Sequence, residues 1–302
     1  GVTAKLRPHV TLPLVATNRI NMPEVAEAVL AGGGADLVSM ARPLLADPQW
    51  VAKARAGKAH SINTCIACNQ ACLDHVFENK KASCLVNPRA CAETELNYPK
   101  TDAPKRIAVV GAGPAGLATA TVAAERGHRV ALFDAADEIG GQFNLAKRIP
   151  GKEEFHETLR YFRHRLQETG VDVRLGQRAD AAALRDYDAV VLATGVSPRA
   201  VDFPGADHDT VVSYLDVLQG RVAPGPRVAI VGAGGIGFDV AEFLVQEAPS
   251  PTLSPQEWMR EWGIDPDFAA RGGLVPPRIA PAARQVWLLQ RSAGKPGARL
   301  GK

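Results

Sequence analysis

Hydrophobic and polar positions divide the chain into stretches of different character. Near the N-terminus, Leu12 to Thr17 and Asp36 to Ala41 read as short buried strands. A helix follows each. Met22 to Leu30 has apolar residues at helical spacing and a stop at Gly32, Gly33 and Gly34. Asp47 to Ala56 has Asp47 as the expected N-cap and Pro48 at the first helical position. Two parallel strands cannot cover both their own faces, so residues 1 to 60 predict the end of something larger. Residues 61 to 103 are polar, cysteine-bearing and without periodicity, and they lead through Pro99 into a linker ending near Pro104.

From Arg106 the pattern changes to strand, glycine turn, helix, strand: Ile107 to Val110, Pro114 to Arg126, Val130 to Phe133. The uncharged run Ile107 to Ala124 has 18 residues and by length alone approaches a membrane span. Gly111, Gly113, Pro114 and Gly116 divide it, which predicts a buried strand and a turn instead. A second copy begins at Arg227, with strand Val228 to Val231, helix Ile236 to Gln246 and strand Gln285 to Leu289. This internal duplication predicts two dinucleotide-binding folds in tandem, residues 104–225 and 226–302. Gly111 to Asp134 spans 23 positions, whereas Gly232 to Arg291 spans 59. The second copy therefore carries an insertion, Pro-rich, with Trp258 and Trp262 and no strand pattern.

Composition narrows the class. At roughly 150 residues per domain, 302 residues predict about two domains. A chain 46% hydrophobic and 22% charged is an ordinary globular protein, not a disordered or fibrous one. Net charge of +3 with 6% aromatic residues argues against a nucleic-acid surface. No charged segment followed by an apolar one opens the chain, so neither a signal peptide nor a membrane partner is expected and the location is read as cytoplasmic. The chain opens on Gly1 rather than Met, which points to a missing start. Oligomeric state leaves no signal in the pattern. Five cysteines are too few for a disulfide scaffold, and four fall between Cys65 and Cys84.

That clustering carries the first candidate chemistry. Cys65, Cys68 and Cys72 stand at two- and three-residue separations, and Cys84 follows after eleven residues. Thiolates so spaced can wrap one corner of a compact inorganic core while a distant fourth closes it, as in iron–sulfur sites. A structural zinc, for which paired Cys-x-x-Cys units are usual, and buried thiols without metal are the alternatives. Cys91 reads as a small buried hydrophobe.

The first glycine fingerprint, Gly111-Ala-Gly113-Pro-Ala115-Gly116, has the strand before and the helix after that it needs. Gly111 permits the tight turn, Gly113 lets backbone approach a pyrophosphate, and Gly116 allows close helix–strand packing. Asp134, ending the next strand, can accept hydrogen bonds from a ribose. Gly140-Gly141-Gln142 and the strand Asp188 to Gly195, ending Ala-Thr-Gly, supply further close-approach backbone and favour FAD over NAD here. The second fingerprint is Gly232-Ala-Gly234-Gly235-Ile236-Gly237. Its strand ends in Gln290-Arg291, with Lys295 nearby, where a guanidinium can pair with a 2′-phosphate. That favours NADPH; a solvated charged loop is the alternative. Arg19 and Arg42 both stand where an N-terminal strand yields to a loop, the position from which barrels bind phosphate. A phosphate site such as that of FMN and plain solvated arginines are both open readings.

Thr17-Asn-Arg19, Ser39-Met-Ala-Arg42-Pro-Leu-Leu-Ala-Asp-Pro48, the cysteine cluster, Asn87-Pro-Arg-Ala-Cys91, both fingerprints, Ile149-Pro-Gly-Lys-Glu-Glu-Phe155 and Glu261-Trp-Gly-Ile-Asp265 together resemble the bacterial 2,4-dienoyl-CoA reductases. These are iron–sulfur flavoproteins of the Old Yellow Enzyme / NADH:flavin oxidoreductase group. The resemblance covers essentially the whole chain; trimethylamine dehydrogenase and related NADH oxidases share the architecture. It implies an α/β chain holding the C-terminal part of a (β/α)8 FMN barrel (1–60), a [4Fe–4S] segment (61–103), and tandem Rossmann-like FAD and NAD(P) domains, the last truncated.

By position, Cys65, Cys68, Cys72 and Cys84 would ligate the cluster, and Arg19, Ala41 and Arg42 would meet FMN. Gly111, Gly113, Ala115, Gly116, Asp134 and Gln142 would meet FAD; Gly234, Gly235, Ile236, Gly237, Arg291 and Lys295 would meet NADPH. The family's proton-donating tyrosine and its partner histidine belong to an earlier part of the barrel, so no catalytic residue is expected here, and His9, His60 and His75 do not replace them. The implied activity is NADPH-dependent reduction of a dienoyl-CoA in unsaturated fatty acid β-oxidation. An amine dehydrogenase, an NADH oxidase, and an inactive electron-transfer fragment are the rival readings. The acyl-CoA pocket would lie upstream of residue 1.

Overall fold

Two parallel two-residue strands, β1 (Val15–Ala16) and β2 (Leu37–Val38), open the fold. They are much shorter than the runs their apolar pattern predicts. The chain folds as a computed structural model in which residues 1–247, 249–297 and 300 are described. Helix Pro23–Ala31 follows β1 with Pro23 at its first turn, and helix Arg42–Ala46 follows β2. That second helix is absent from the sequence expectation, because Pro43 opens it where the strand was thought to end.

The expected helix from Asp47 begins only at Trp50, so Asp47 is not its N-cap. Asp47 is buried instead, and its carboxylate accepts the N–H groups of Gln49 at 3.0 Å and Asn63 at 2.8 Å and the Lys53 ammonium at 2.6 Å. A partnered buried carboxylate is worth more to the fold than a cap on an exposed helix start. Ile20, Ala26, Trp50 and Ile62 form the core of this segment.

The central fold is a four-stranded, all-parallel sheet made of β3 (Arg106–Val110), β4 (Arg129–Phe133), β5 (Asp172–Arg174) and β6 (Ala189–Leu192), in the order β5-β4-β3-β6. Both faces of its middle are covered. Val109, Val130 and Leu132 pack on one side with Leu117 and Ala120 of helix Pro114–Glu125 and Leu166 of helix Phe155–Thr169. Ala108, Ala131 and Phe133 pack on the other with Leu184 and Tyr187. Sheets buried on two faces need continuous apolar strands, which is how β3 and β4 read in sequence. Each of Leu117, Leu132 and Phe133 is fully buried, contributing about 2 kcal/mol by area.

The chain divides into two compact units. Residues 1–143 and 154–196 form one, so the N-terminal, cysteine-bearing and first dinucleotide segments share a unit; residues 144–153 and the described residues between 197 and 300 form the other. In the second unit β7 (Arg227–Val231) and β8 (Gln285–Leu289) pair in parallel, flanked by helix Gly235–Val245. Ile149, Val217, Leu218, Val240 and Leu244 make its core. The insertion before β8 holds helix Pro255–Glu261, with the Trp258 and Trp262 rings stacked 5.8 Å apart.

Candidate cofactor sites

Strand order places a topological switch between β3 and β6, because the chain leaves β3 for β4 on one side and returns at β6 on the other. Ligands of open α/β sheets bind outside the strand ends at such a point. The structure puts there the turn after β3 and the Ala193-Thr194-Gly195 end of β6. They touch through backbone: a Cβ on Gly111, whose φ is +109°, would lie 2.2 Å from the Ala193 carbonyl oxygen. A Cβ on Gly116 would lie 1.7 Å from the Gly111 oxygen. Gly113, by contrast, faces open space. It is also the helix N-cap without a side-chain oxygen, which leaves the first-turn N–H groups, Ala115 and Gly116 among them, to a ligand.

Neighbouring residues build the rest of a cradle. The Asp134 carboxylate receives the Ala112 N–H at 2.6 Å and the Ala136 N–H at 2.8 Å, tying the turn to the end of β4. Its remaining lone pairs are those a ribose hydroxyl would use. Gly140 donates its N–H to the Ala112 carbonyl at 2.8 Å, and Gln142 Nε2 donates to the Val196 carbonyl at 2.8 Å. An open glycine, an uncapped helix start and an acid at the end of the neighbouring strand are the features an extended dinucleotide needs.

The turn after β7 repeats the geometry. A Cβ on Gly237 would lie 2.0 Å from the Gly232 oxygen, and Gly234, again an uncapped N-cap, faces open space. Gly235 and Ile236 form the exposed first turn. Beyond β8, Gln290 Nε2 donates to the carbonyls of Ser292 at 2.9 Å and Gly294 at 2.8 Å, shaping the loop that carries Arg291 and Lys295. Both cations are exposed, with no ion-pair partner among the described residues. A 2′-phosphate fits that arrangement in charge.

Cys65, Cys68, Cys72 and Cys84 line one cavity together with Arg42, Leu45, Ile66, Asn69 and Val86. All five cysteines are free thiols, and Cys91 is exposed rather than buried, against expectation. Ala67 and Asn69 adopt left-handed backbone, φ 54° and 59°, on either side of Cys68, and Cys72 sits in a widened turn at Gln70–Asp74. For alanine that conformation costs roughly 1–2 kcal/mol, strain of the kind found where a loop is shaped for a ligand.

Burial pushes the Cys68 and Cys84 thiols up; in each case the nearby cysteines, Cys65 among them, add to the rise. Without a cation such thiols stay protonated, whereas a metal core would hold them as thiolates. Among the described residues no three His, Cys, Asp or Glu side chains are placed to grip a single metal ion. The four thiols nonetheless line one cavity, and thiolate is the donor type that an iron–sulfur core or a structural zinc takes.

The two arginines of the N-terminal segment each have a side-chain partner. Arg19 pairs with Glu154, and Arg42 donates to Asn69 Oδ1 while lining the cysteine cavity. Ala41 is the N-cap of helix Arg42–Ala46. Sequence reasoning missed both pairings, and missed the amides that fix the cysteine loop: Asn21 Nδ2 donates to the Cys65 carbonyl at 3.1 Å, and Asn63 Nδ2 to the Val86 carbonyl at 2.7 Å.

A barrel-like segment followed along the sequence by two dinucleotide turns is the layout of flavin- and pyridine-nucleotide-linked oxidoreductases. Residues 1–61 match the NADH:flavin oxidoreductase / NADH oxidase family, and residues 105–250 match the pyridine nucleotide-disulphide oxidoreductase family.

The chain is 40% identical over 247 residues to the "Metal reductase" of Desulforamulus reducens, covering 80% of this chain and 37% of that protein. It is 39% identical over 290 residues to the "N,N-dimethylglycine/sarcosine dehydrogenase" of Chromohalobacter salexigens, covering 91% and 41%. A solved 2-naphthoyl-CoA reductase complex superposes with a TM-score of 0.76 at 34% identity, over 78% of this chain and 36% of that one. The chain thus spans about two fifths of the length of the proteins it matches. No described helix is long and apolar enough to cross a membrane.

Proposed function

We propose that this chain is the electron-relaying part of an NADPH-dependent 2,4-dienoyl-CoA reductase. The observation that supports it is the gathering of four thiols on one cavity in the same compact unit as the first dinucleotide turn. Gly111, Gly113, Ala115 and Gly116 would seat the FAD pyrophosphate on the helix start, Asp134 would hold its ribose, and Gln142 would brace the crevice through Val196. Cys65, Cys68, Cys72 and Cys84 would hold a [4Fe–4S] cluster. Gly234, Gly235, Ile236 and Gly237 would take the nicotinamide nucleotide, with Arg291 and Lys295 on its 2′-phosphate. Ala41 backbone with Arg19 and Arg42 would meet FMN, Arg19 exchanging Glu154 for phosphate.

When bound, flavins exchange electron pairs with nicotinamide or substrate, and an iron–sulfur cluster passes electrons singly between them. The protein's part is to fix the order of these groups and to keep thiolates and phosphates compensated. In this reading the proton for a thioester substrate would come from the earlier part of the barrel, as the resemblance implies. The CoA reductase neighbour supports a thioester substrate for this chain.

An amine dehydrogenase is the second reading, favoured by the sarcosine dehydrogenase relative. It would run electrons outward and make no use of Arg291. Anaerobic turnover by the full-length protein separates the two: NADPH oxidation dependent on 2,4-dienoyl-CoA is expected, and trimethylamine-dependent reduction of an acceptor without NADPH oxidation would overturn the proposal.

A further inference from the structure

The short run that leads into Cys65 is held from an unexpected direction. Arg160 lies on helix Phe155–Thr169, which packs against helix Pro114–Glu125 of the first dinucleotide fold through Leu166 and Leu117. Its guanidinium leaves that fold and donates to three acceptors in the run before the first cysteine. One nitrogen reaches the His60 carbonyl; the other reaches the Ile62 carbonyl at 2.9 Å and the Thr64 hydroxyl at 3.0 Å. Glu157, one turn earlier, holds the Nε of the same group at 2.6 Å and fixes its orientation. Ile62 is fully buried and Thr64 nearly so. His60 is exposed, but the two acceptors on Ile62 and Thr64 belong to buried residues with little access to water and depend on this side chain. Only the planar fork of arginine can serve three acceptors at these positions at once; a lysine ammonium is a single point donor.

We propose that Arg160 is a positioning residue of the cysteine cavity, locking the Ile62–Thr64 run so that Cys65 stands at a fixed place relative to Cys68, Cys72 and Cys84. This rests on reading those four cysteines as the ligands of an iron–sulfur cluster. Outer partners that orient a metal ligand change metal affinity by about 10–100-fold when removed. The guanidinium's hydrogen-bond partners are Glu157, His60, Ile62 and Thr64, none of them a cysteine or a residue of the glycine turn, so its loss would act on how firmly Cys65 is presented and not on the dinucleotide turn.

The test uses the full-length protein purified without oxygen, as wild type, Arg160→Gln and Arg160→Lys. Iron and acid-labile sulfide, FAD content, the rate of cluster loss to an iron chelator, and the cluster midpoint potential are measured on each. The expected result is chelator-driven cluster loss about tenfold faster or more in both variants, a shifted midpoint potential, and full FAD content. The lysine variant retains the charge, so its failing alongside the glutamine variant identifies the fork and not the charge. Wild-type lability in both variants would overturn the proposal. So would loss of FAD together with iron in Arg160→Lys, since the residue would then serve general stability. Absence of iron from the wild-type protein would instead remove the cluster reading on which the inference rests, an outcome visible before any variant is made.

Discussion

At the scale of single residues, the sharpest constraints are absences of side-chain atoms. Gly116 has no room for a methyl group, because its Cβ would enter the Gly111 carbonyl. Gly116→Ala is expected to cost about 2 kcal/mol or more and to release FAD, read from the denaturant midpoint and the flavin content of the purified protein. Arg291 makes the opposite kind of contribution, a charge waiting for a partner. Arg291→Glu is expected to lower the NADPH/NADH preference in kcat/KM by about tenfold, the value of one charge-assisted hydrogen bond. An unchanged ratio would mean that the 2′-phosphate is not recognised there.

Ala67 offers a test of the loop itself. Ala67→Gly removes the left-handed strain beside Cys68 and is expected to stabilise the protein by roughly 1 kcal/mol in thermal unfolding. Glycines and cysteines of this sort were legible in the sequence because their chemistry is local. The partners of Arg19 and Arg160 were not: Glu154 lies 135 positions from Arg19, and Thr64 lies 96 from Arg160, so no spacing rule connects them.

Among elements, the strands and helices flanking both glycine turns stand within about a residue of where periodicity puts them. Their apolar patterns are set by burial on a sheet that the same segments complete. The N-terminal elements agree less well. Apolar runs at Leu12 to Thr17 and Asp36 to Ala41 yield only two paired residues each, since pairing is limited by what the neighbouring strand offers and not by apolar content. Asp47 shows why a cap rule fails there, as a buried carboxylate with three donors outweighs an exposed helix start. Asp47→Ala strands those donors and is expected to lower stability by about 2–3 kcal/mol in urea unfolding, whereas a cap alone would cost about 1 kcal/mol.

For the whole molecule, the tandem dinucleotide folds, the cysteine cavity and the barrel-like segment form one ordered series along the chain. The tandem repeat was readable because two copies of one motif validate each other. The division into two units was not, since residues 144–153 belong with the chain after 196 and not with their sequence neighbours. Relatives named as a metal reductase, an N,N-dimethylglycine/sarcosine dehydrogenase and a 2-naphthoyl-CoA reductase each match most of this chain, so likeness over these segments does not fix a substrate.

The central claim is that one polypeptide carries the relay's prosthetic groups together, and counting them in protein purified under anaerobic conditions tests it most directly. The account predicts iron and acid-labile sulfide in equal amounts, FAD and FMN in a one-to-one ratio, and loss of the iron alone when Cys68 is replaced by Ser. Flavin bound at full occupancy to a protein free of iron and sulfide, with Cys68→Ser indistinguishable from wild type, would contradict it.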